Sequence, residues 1–214
     1  MKKILVINPN SNDAVTQGLA ECLAPLQIKD QVEIECMTLA EGPFGIESVL
    51  DNQRVVLPLR QVVLQREDAD AFVIACYSDP GLALCREATQ KPVFGIQESG
   101  WFSALQRGSR VGVVALGPKS ITRHLTYIRA LGVESRLAAE RPLMLSVAQS
   151  EEAAAYPRIE EVARTLVEQD MADTLLMGCA GMARHCEKLE SALGVPVTEP
   201  TPVSYTHLTL PTKA

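Results

Sequence analysis

Hydrophobic and polar positions follow two different periods along this chain, and the switches between them predict alternating strands and helices. Short apolar runs dominate the predicted strands at residues 3–7, 72–75 and 110–115, of which the first and last begin with Lys3 and Arg110, and such runs are typical of strands buried on both faces of a parallel sheet. Between them lie longer segments, such as 151–169, whose apolar spacing of three and four predicts helices. The alternation predicts an α/β fold with mostly parallel sheets.

One stretch of the sequence occurs twice, half a chain length apart. Residues 69–76 read Ala-Asp-Ala-Phe-Val-Ile-Ala-Cys, and residues 172–179 read Ala-Asp-Thr-Leu-Leu-Met-Gly-Cys. A predicted helix and a short apolar segment follow each copy. A repeat of this size predicts two similar, pseudosymmetric lobes with a cleft between them. We place the first α/β lobe at residues 1–106 and the second at residues 107–200.

The end of the chain departs from this repeat. By analogy with the first half a helix should follow Pro200, yet residues 203–214 show no amphipathic period. Their sequence resembles the translated adapter read-through that ends some predicted proteins. We therefore expect residues 201–214 to be a non-native tail that replaces a lost C-terminal helix, and they are excluded from the candidate site.

Composition and charge narrow the class of protein. The chain has 214 residues, 47% hydrophobic residues and a net charge of −6, and an acidic chain argues against nucleic acid and anionic membrane surfaces as partners. No apolar run approaches the ~20 residues that span a bilayer. The apolar N-terminus is expected to be a first strand rather than a signal peptide. Six cysteines are too few for a disulfide scaffold, so we expect free thiols in a reducing cytoplasm.

Cys76 and Cys179 end the two copies of the repeat, each between a strand and a helix. Ligands bind at this end of open α/β sheets, and a helix N-terminus favours a thiolate over a thiol. Asp79 is expected to cap the first of these helices. Two facing lobes would place the thiols on opposite sides of the cleft. A thiolate and a thiol on opposite faces of a carbon can invert an acidic C–H centre.

The negative charge that forms on such a carbon needs hydrogen-bond donors. Backbone N–H groups at residues 77–79 and 180–182, together with the Ser78 hydroxyl, are expected to supply them. Gly178 and Gly181 allow the backbone to approach a ligand closely. This chemistry requires no organic cofactor and no metal, and the spacing of the cysteines does not match a zinc site.

Three stretches in combination resemble the hydantoin racemase branch of the aspartate/glutamate racemase superfamily. They are Ile7-Asn8-Pro9-Asn10-Ser11, Ala75-Cys76-Tyr77-Ser78-Asp79-Pro80-Gly81-Leu82 and Gly178-Cys179-Ala180-Gly181-Met182. The resemblance extends from residue 1 to about residue 200. It implies a two-lobed α/β fold and cofactor-independent racemisation of 5-substituted hydantoins or allantoin. It also implies that the two cysteines are the acid/base residues, and that the protein is a homo-oligomer with a small-molecule substrate.

A substrate-binding set follows from the resemblance and from position in the chain. The resemblance implies that residues matching Asn8, Gly45 and Ser78 and the backbone after Cys179 bind the ring. Thr122 is added because it follows the turn of the second lobe. The candidate substrate-binding residues are Asn8, Gly45, Tyr77, Ser78, Thr122, Ala180 and Gly181.

Several of these residues have simpler explanations. Asn8 could cap a turn, and Ser78 and Asp79 could both be helix caps. Thr122 and His124 lie on one predicted helix, and a place on its surface is the simpler expectation for both, most of all for His124.

Alternative functions stay open on sequence grounds. Amino-acid racemases of the superfamily carry Cys-Asn-Thr and Gly-Cys-Thr patterns, from which Tyr77, Ser78 and Ala180 depart, so aspartate or glutamate is a less favoured substrate. Isomerisation or decarboxylation through one cysteine is a related alternative. An alternative of another class is a non-catalytic thiol redox or small-molecule-binding protein, in which Cys76 and Cys179 would form a reversible disulfide.

Overall fold

Two parallel four-stranded sheets form the framework of the protein in a computed structural model. The structure describes the backbone of residues 1–209 and the side chains of residues 1–204; residues 210–214 of the expected tail lie outside the described residues. The strands are β1 (Lys2–Asn8), β2 (Val32–Thr38), β3 (Ala71–Ile74), β4 (Val93–Gly95), β5 (Val111–Ala115), β6 (Leu137–Pro142), β7 (Thr174–Met177) and β8 (Val197–Thr198).

Helices connect the strands and flank both sheets. The helices are α1 (Asp13–Leu23), α2 (Val49–Arg54), α3 (Val56–Gln65), α4 (Leu82–Ala88), α5 (Ile96–Arg107), α6 (Pro118–Ala130), α7 (Val147–Glu151), α8 (Tyr156–Glu168), α9 (Cys186–Leu193) and α10 (Pro200–Thr209), with a longer 3₁₀ helix at Ala180–His185. Across the described residues, none of these helices has the length and apolar character needed to cross a membrane.

The two sheets have the same strand order, which confirms the two-lobed α/β fold predicted from the repeat. The order is β2-β1-β3-β4 in the first sheet and β6-β5-β7-β8 in the second, with parallel pairing throughout. The two copies of the repeated stretch supply β3 and β7, which hold the same position in their sheets. We propose that the lobes divide at residues 106 and 107, near the end of α5.

A common apolar core joins the two lobes. Trp101 of α5 is fully buried in a cluster that also contains Val6 of β1, Val113 of β5 and Leu176 of β7. The approach of α5 to the second sheet is close, because a Cβ added to Gly100 would lie 2.9 Å from Leu176. Burial of this apolar surface, at roughly 25 cal/mol per Å², stabilises one arrangement of the lobes and of the cleft between them.

The C-terminal segment differs from the expectation. Helix α10 covers Pro200–Thr209 and packs on α5, so the prediction that a helix is lost after Pro200 is wrong for residues 200–209. Contact with α5 stabilises a segment that shows no amphipathic period of its own, because tertiary packing contributes most of the stability of a short helix. That the sequence of residues 201–214 is non-native remains a proposal.

Candidate active site

The two cysteines of the repeat occupy equivalent positions at the ends of equivalent strands. Cys76 lies two residues beyond the end of β3, and Cys179 lies two residues beyond the end of β7. Both line the same cavity between the lobes. The pseudosymmetry predicted from the sequence therefore brings the two thiols to one site.

Most of the predicted site residues line this cavity, which has a volume of about 30 Å³. A space of this size holds one or two water molecules. The predicted residues that line it are Cys76, Tyr77, Ser78, Cys179, Ala180 and Gly181.

The structure does not bring Asn8, Gly45 and Thr122 to the cavity wall. Asn8 is fully buried, and its Nδ2 donates to Oδ1 of Asn10 and to the Thr16 hydroxyl. It therefore supports the turn after β1, and Asn10 lines the cavity instead. Gly45 lies behind the wall, where a Cβ would be 3.1 Å from Val147. Thr122 is exposed on α6.

Asp79 caps a different helix from the one expected. The residue before α4 is Gly81, in a left-handed conformation with φ of 67°. The carboxylate of Asp79 instead accepts hydrogen bonds from the backbone N–H groups of Gln97 (2.9 Å) and Glu98 (2.8 Å) at the start of α5. The loop that carries Cys76 is thus tied to the N-terminus of α5 through a buried carboxylate.

Both cavity thiols are less acidic than the sequence suggested. Burial, and secondarily the neighbouring Cys179 thiol, raise the pKa of Cys76 to about 12. Burial raises the pKa of Cys179 to about 11, although the Gly181 N–H and the Ser150 hydroxyl act in the opposite direction. Desolvation opposes the Cys76 thiolate in the free protein, and α4 begins only at Leu82, six residues beyond the thiol.

The backbone donors after each cysteine are partly occupied. The N–H groups of Ser78 and Asp79 donate to the carbonyl of Cys76 at 2.8 and 3.0 Å. The N–H of Met182 donates to the carbonyl of Cys179 at 3.2 Å. The predicted donor set at residues 77–79 and 180–182 is therefore smaller than the sequence indicated.

Arg123 is a cavity residue that sequence reasoning missed. Its guanidinium donates to the carbonyl oxygens of Ile46 (3.2 Å) and Glu47 (3.0 Å), which ties α6 of the second lobe to a loop of the first. Its positive charge lowers the pKa of Cys76, against the larger effect of burial. No motif marked this residue, because its role depends on a contact across the cleft.

Removing the charge of Arg123 is expected to shift the pH dependence of turnover toward higher pH. The Cys76 thiolate loses a favourable charge interaction, so in Arg123→Gln we expect kcat/KM to fall about 3–10-fold at pH 8 and by a similar factor at pH 10, because both lie below the pKa of about 12. A pH profile of the racemisation that the sequence resemblance implies measures this. Arg123→Lys keeps the positive charge and should retain much of the kcat/KM of the parent protein. Lys119→Gln, on the exposed side of α6, serves as the matched control. An unchanged profile in Arg123→Gln would contradict the electrostatic role.

His124 is a second missed residue, and it is buried rather than exposed. It lines the cavity, and its Nδ1 is hydrogen-bonded to Oε1 of Glu140 on β6. A sequence signal existed: Ser120, His124 and Ile128 are spaced by four and form the buried stripe of α6. A polar residue within such a stripe is a candidate for a buried contact.

Metal ligands are not clustered at this site. Within the part of the chain that the structure describes, no group of three or more His, Cys, Asp or Glu side chains could hold a metal ion. The chemistry available from the cavity residues is proton transfer by thiols, supported by the Arg123 charge and by backbone and side-chain hydrogen bonds.

Comparisons with known proteins agree with this geometry. A sequence model of the family described as Asp/Glu/hydantoin racemase matches residues 4–208. The chain is 35% identical over 201 residues to the hydantoin racemase of Pseudomonas sp. (strain NS671), covering 92% of this chain and 80% of that protein. It is 33% identical over 204 residues to the hydantoin racemase of Paenarthrobacter aurescens, covering 92% and 86%. The solved structure of allantoin racemase from Pseudomonas fluorescens superimposes with a TM-score of 0.90 at 25% identity, covering 96% of this chain and 88% of that one.

Proposed function

The chain belongs to the Asp/Glu/hydantoin racemase family, and from this premise we propose that it racemises 5-substituted hydantoins at C5 by proton transfer between Cys76 and Cys179. Membership makes it an enzyme of the racemase type, so the non-catalytic alternative is not carried further. The observation that supports the two-thiol reaction is the placement of both cysteines in one cavity, each two residues past an equivalent strand.

The proposed reaction transfers one proton on each side of the ring. One thiolate removes the C5 proton, and the electron pair of the C–H bond passes into the ring as an enolate. The opposite thiol then donates its proton to the other face of C5, which inverts the centre and leaves that sulfur as the thiolate. The pair therefore titrates as a unit, with one proton shared between two sulfurs. No cofactor is needed in this scheme.

The 5-substituent has room beside the catalytic cavity. A second cavity of about 150 Å³ shares Val15, Ala180 and Gly181 with the first. We propose that the ring lies between the thiols and the substituent extends into this second space. In the same arrangement Tyr77, Ser78, Ala180 and Gly181 contact the ring, while Asn8 and Gly45 support the wall behind it.

Allantoin is the second candidate substrate, and the second cavity supplies the reason. Glu21, Glu151 and Arg184 line it, and Oε1 of Glu151 is buried without a hydrogen-bond partner among the described residues. A ureido substituent would supply N–H donors to that oxygen, whereas an alkyl substituent would not.

Cellular setting follows from the chemistry. All six cysteines are free thiols in the structure, and a thiolate/thiol pair requires a reducing environment to persist. We therefore propose a cytoplasmic location. A homo-oligomer, which the sequence resemblance implies, is likewise a proposal, and the mass of the purified protein in solution tests it.

The decisive test is stereoinversion in D₂O. One enantiomer of a 5-alkylhydantoin is supplied with chelator present, and polarimetry is combined with proton NMR. We expect loss of optical rotation together with deuterium at C5, above the buffer rate. Inversion of allantoin but not of the alkylhydantoin would favour the second candidate. A folded protein that inverts neither substrate would overturn the proposed function.

Turnover is expected to rise with pH. Both thiols have raised pKa values, about 12 for Cys76 and about 11 for Cys179, so the reactive form with one thiolate grows as pH rises toward the lower value. We expect kcat/KM to increase by up to about tenfold per unit between pH 7 and 9. A flat profile over this range, with the buffer-catalysed rate subtracted, would show that another group sets the rate.

A further inference from the structure

Helix α6 places a buried hydrogen-bonded pair directly beside the catalytic cavity. The side chains of His124 and Glu140 are 2% and 1% exposed, and Nδ1 of the imidazole is bonded to Oε1 of the carboxylate. The imidazole also meets the ring of Tyr77 edge to face, with centroids 4.7 Å apart and an interplanar angle of 81°. Two contacts from different elements therefore fix the position of the His124 ring at the cavity wall.

Retaining this pair in the core is costly. A buried carboxylate is stable only when its partners replace the lost water, and Oε2 of Glu140 has no hydrogen-bond partner within the described residues. Apolar side chains of similar volume would fill the same space without this cost. A polar pair at this place therefore points to a role in the site it borders.

The hydrogen bond decides which imidazole nitrogen is left without a partner. When Glu140 is an ionised carboxylate it can only accept this hydrogen bond, and Nδ1 of a neutral His124 then carries the proton while the second nitrogen, Nε2, keeps a lone pair. Nε2 has no hydrogen-bond partner in the part of the chain that the structure describes, and the ring lines the cavity. Nε2 is therefore the acceptor that this ring offers to a bound molecule.

Two of the side-chain acceptors on the cavity wall are already engaged. Oδ1 of Asn10 already accepts from Asn8 and from the Asn12 N–H, and the Ser120 hydroxyl accepts from Arg123 at 3.4 Å. The guanidinium is a donor only. A hydantoin ring carries two carbonyl groups, which need donors, and two N–H groups, which need acceptors.

We propose that His124, oriented by Glu140, accepts a hydrogen bond from a ring N–H of the substrate and so selects cyclic ureides over rings that lack this hydrogen. This inference rests on the proposed function and adds its specificity-determining residue. His124 contacts the substrate, whereas Glu140 is a positioning residue that holds the tautomer. Rings without the N–H leave Nε2 buried and unpaired, which makes discrimination strong.

Substrate analogues test the selection. We compare a 5-alkylhydantoin with the 5-alkyl-oxazolidine-2,4-dione, in which oxygen replaces N1–H, and with the N3-methyl hydantoin. In the parent protein we expect kcat/KM to fall about 10²–10³-fold for at least one analogue. In His124→Phe the ratio of kcat/KM for the hydantoin to kcat/KM for the analogue should shrink to within about tenfold. In Glu140→Gln this ratio should lie between those of the parent protein and His124→Phe. The ratio of two substrates within one variant cancels differences in folded fraction, and comparing that ratio between variants cancels the difference in C5 acidity between the substrates.

The control is Tyr127→Phe, which removes a hydroxyl of the same helix that bonds to Glu98 at 3.3 Å outside the cavity. This variant should retain the discrimination of the parent protein. If His124→Phe also retains the parent ratio for both analogues, His124 does not recognise the ring and the proposal is overturned.

A second measurement does not depend on turnover. The chain has three histidines, and ¹⁵N NMR of histidine-labelled protein, assigned with His124→Phe, reports which nitrogen carries the proton. We expect a protonated Nδ1 in His124 and a shift of its Nε2 resonance on addition of 5,5-dimethylhydantoin, which has no C5 proton to lose. If the shift occurs in a protein that has no racemase activity, the proposed reaction is rejected, whereas the recognition of the ring N–H by His124 is supported. Absence of the shift in an active enzyme would reject the recognition alone.

Discussion

Replacing either cavity cysteine by serine should reduce racemisation about 10³-fold or more. Inversion needs a base on one face of C5 and an acid on the other, and a serine hydroxyl is far too weak an acid to form the anion at working pH. Cys76→Ser and Cys179→Ser are therefore both expected to lose inversion of either enantiomer. Circular dichroism of the reacting solution measures the rate.

Each single variant should keep a partial reaction that reveals its remaining thiol. In Cys76→Ser, Cys179 can still remove the C5 proton of one enantiomer and return deuterium to the same face. Exchange without inversion is then expected for that enantiomer only, and Cys179→Ser should show it for the opposite enantiomer. In Cys179→Ser one cause of the raised pKa of Cys76 is also removed. The lower pKa favours deuterium exchange by Cys76 in this variant.

Cys36→Ser is the matched control, because Cys36 is a half-buried thiol in β2 that does not line the cavity. It should racemise at close to the parent rate. Full racemisation by Cys76→Ser would reject the two-thiol mechanism, as would exchange of both enantiomers by one single-cysteine variant.

Gly95→Ala is expected to give a large loss of stability. A Cβ at residue 95 would lie 2.2 Å from Cγ of Asp79 and 2.3 and 2.5 Å from its two oxygens. The carboxylate must therefore leave the N-terminus of α5, and the N–H groups of Gln97 and Glu98 lose their acceptor in a buried site. We expect a loss of about 2–4 kcal/mol in the free energy of unfolding by urea.

A double-mutant cycle isolates this contact. Asp79→Ala alone should cost a similar amount, because it leaves the same two donors without an acceptor. In the Asp79→Ala background, Gly95→Ala should cost less than about 1 kcal/mol, since the space is then empty. Gly18→Ala is the control, because no atom lies within 4 Å of its added Cβ, and alanine within α1 should stabilise slightly. Additive losses at residues 79 and 95 would contradict the proposed clash.

The same contact links stability to the site. Asp79 lies three residues beyond Cys76, so displacing its carboxylate moves the loop that carries the thiol. We expect Gly95→Ala to lower kcat even at temperatures where the protein remains folded, because small displacements of a catalytic group are costly in rate.

The local sequence pattern was sufficient to predict the two sheets and the positions of the two thiols. The apolar runs specify strands buried on both faces, and the repeat specifies that the two halves have one topology. Because the carboxyl ends of parallel strands define the ligand-binding edge, the positions of Cys76 and Cys179 after β3 and β7 could be predicted without any knowledge of the contacts between lobes.

Contacts between distant segments decided which polar side chains are buried and which partners they have, because these partners depend on tertiary packing and not on spacing along the chain. Glu140 on β6 makes His124 a buried cavity residue, and α5 receives the carboxylate of Asp79. Burial in the assembled cleft raises the pKa of Cys76. Packing on α5 likewise stabilises α10, whose own sequence has no amphipathic period. The sequence thus determined where the two cavity thiols lie, and only the tertiary structure decided which polar groups surround them, because desolvation and cross-lobe hydrogen bonds exist only in the folded state.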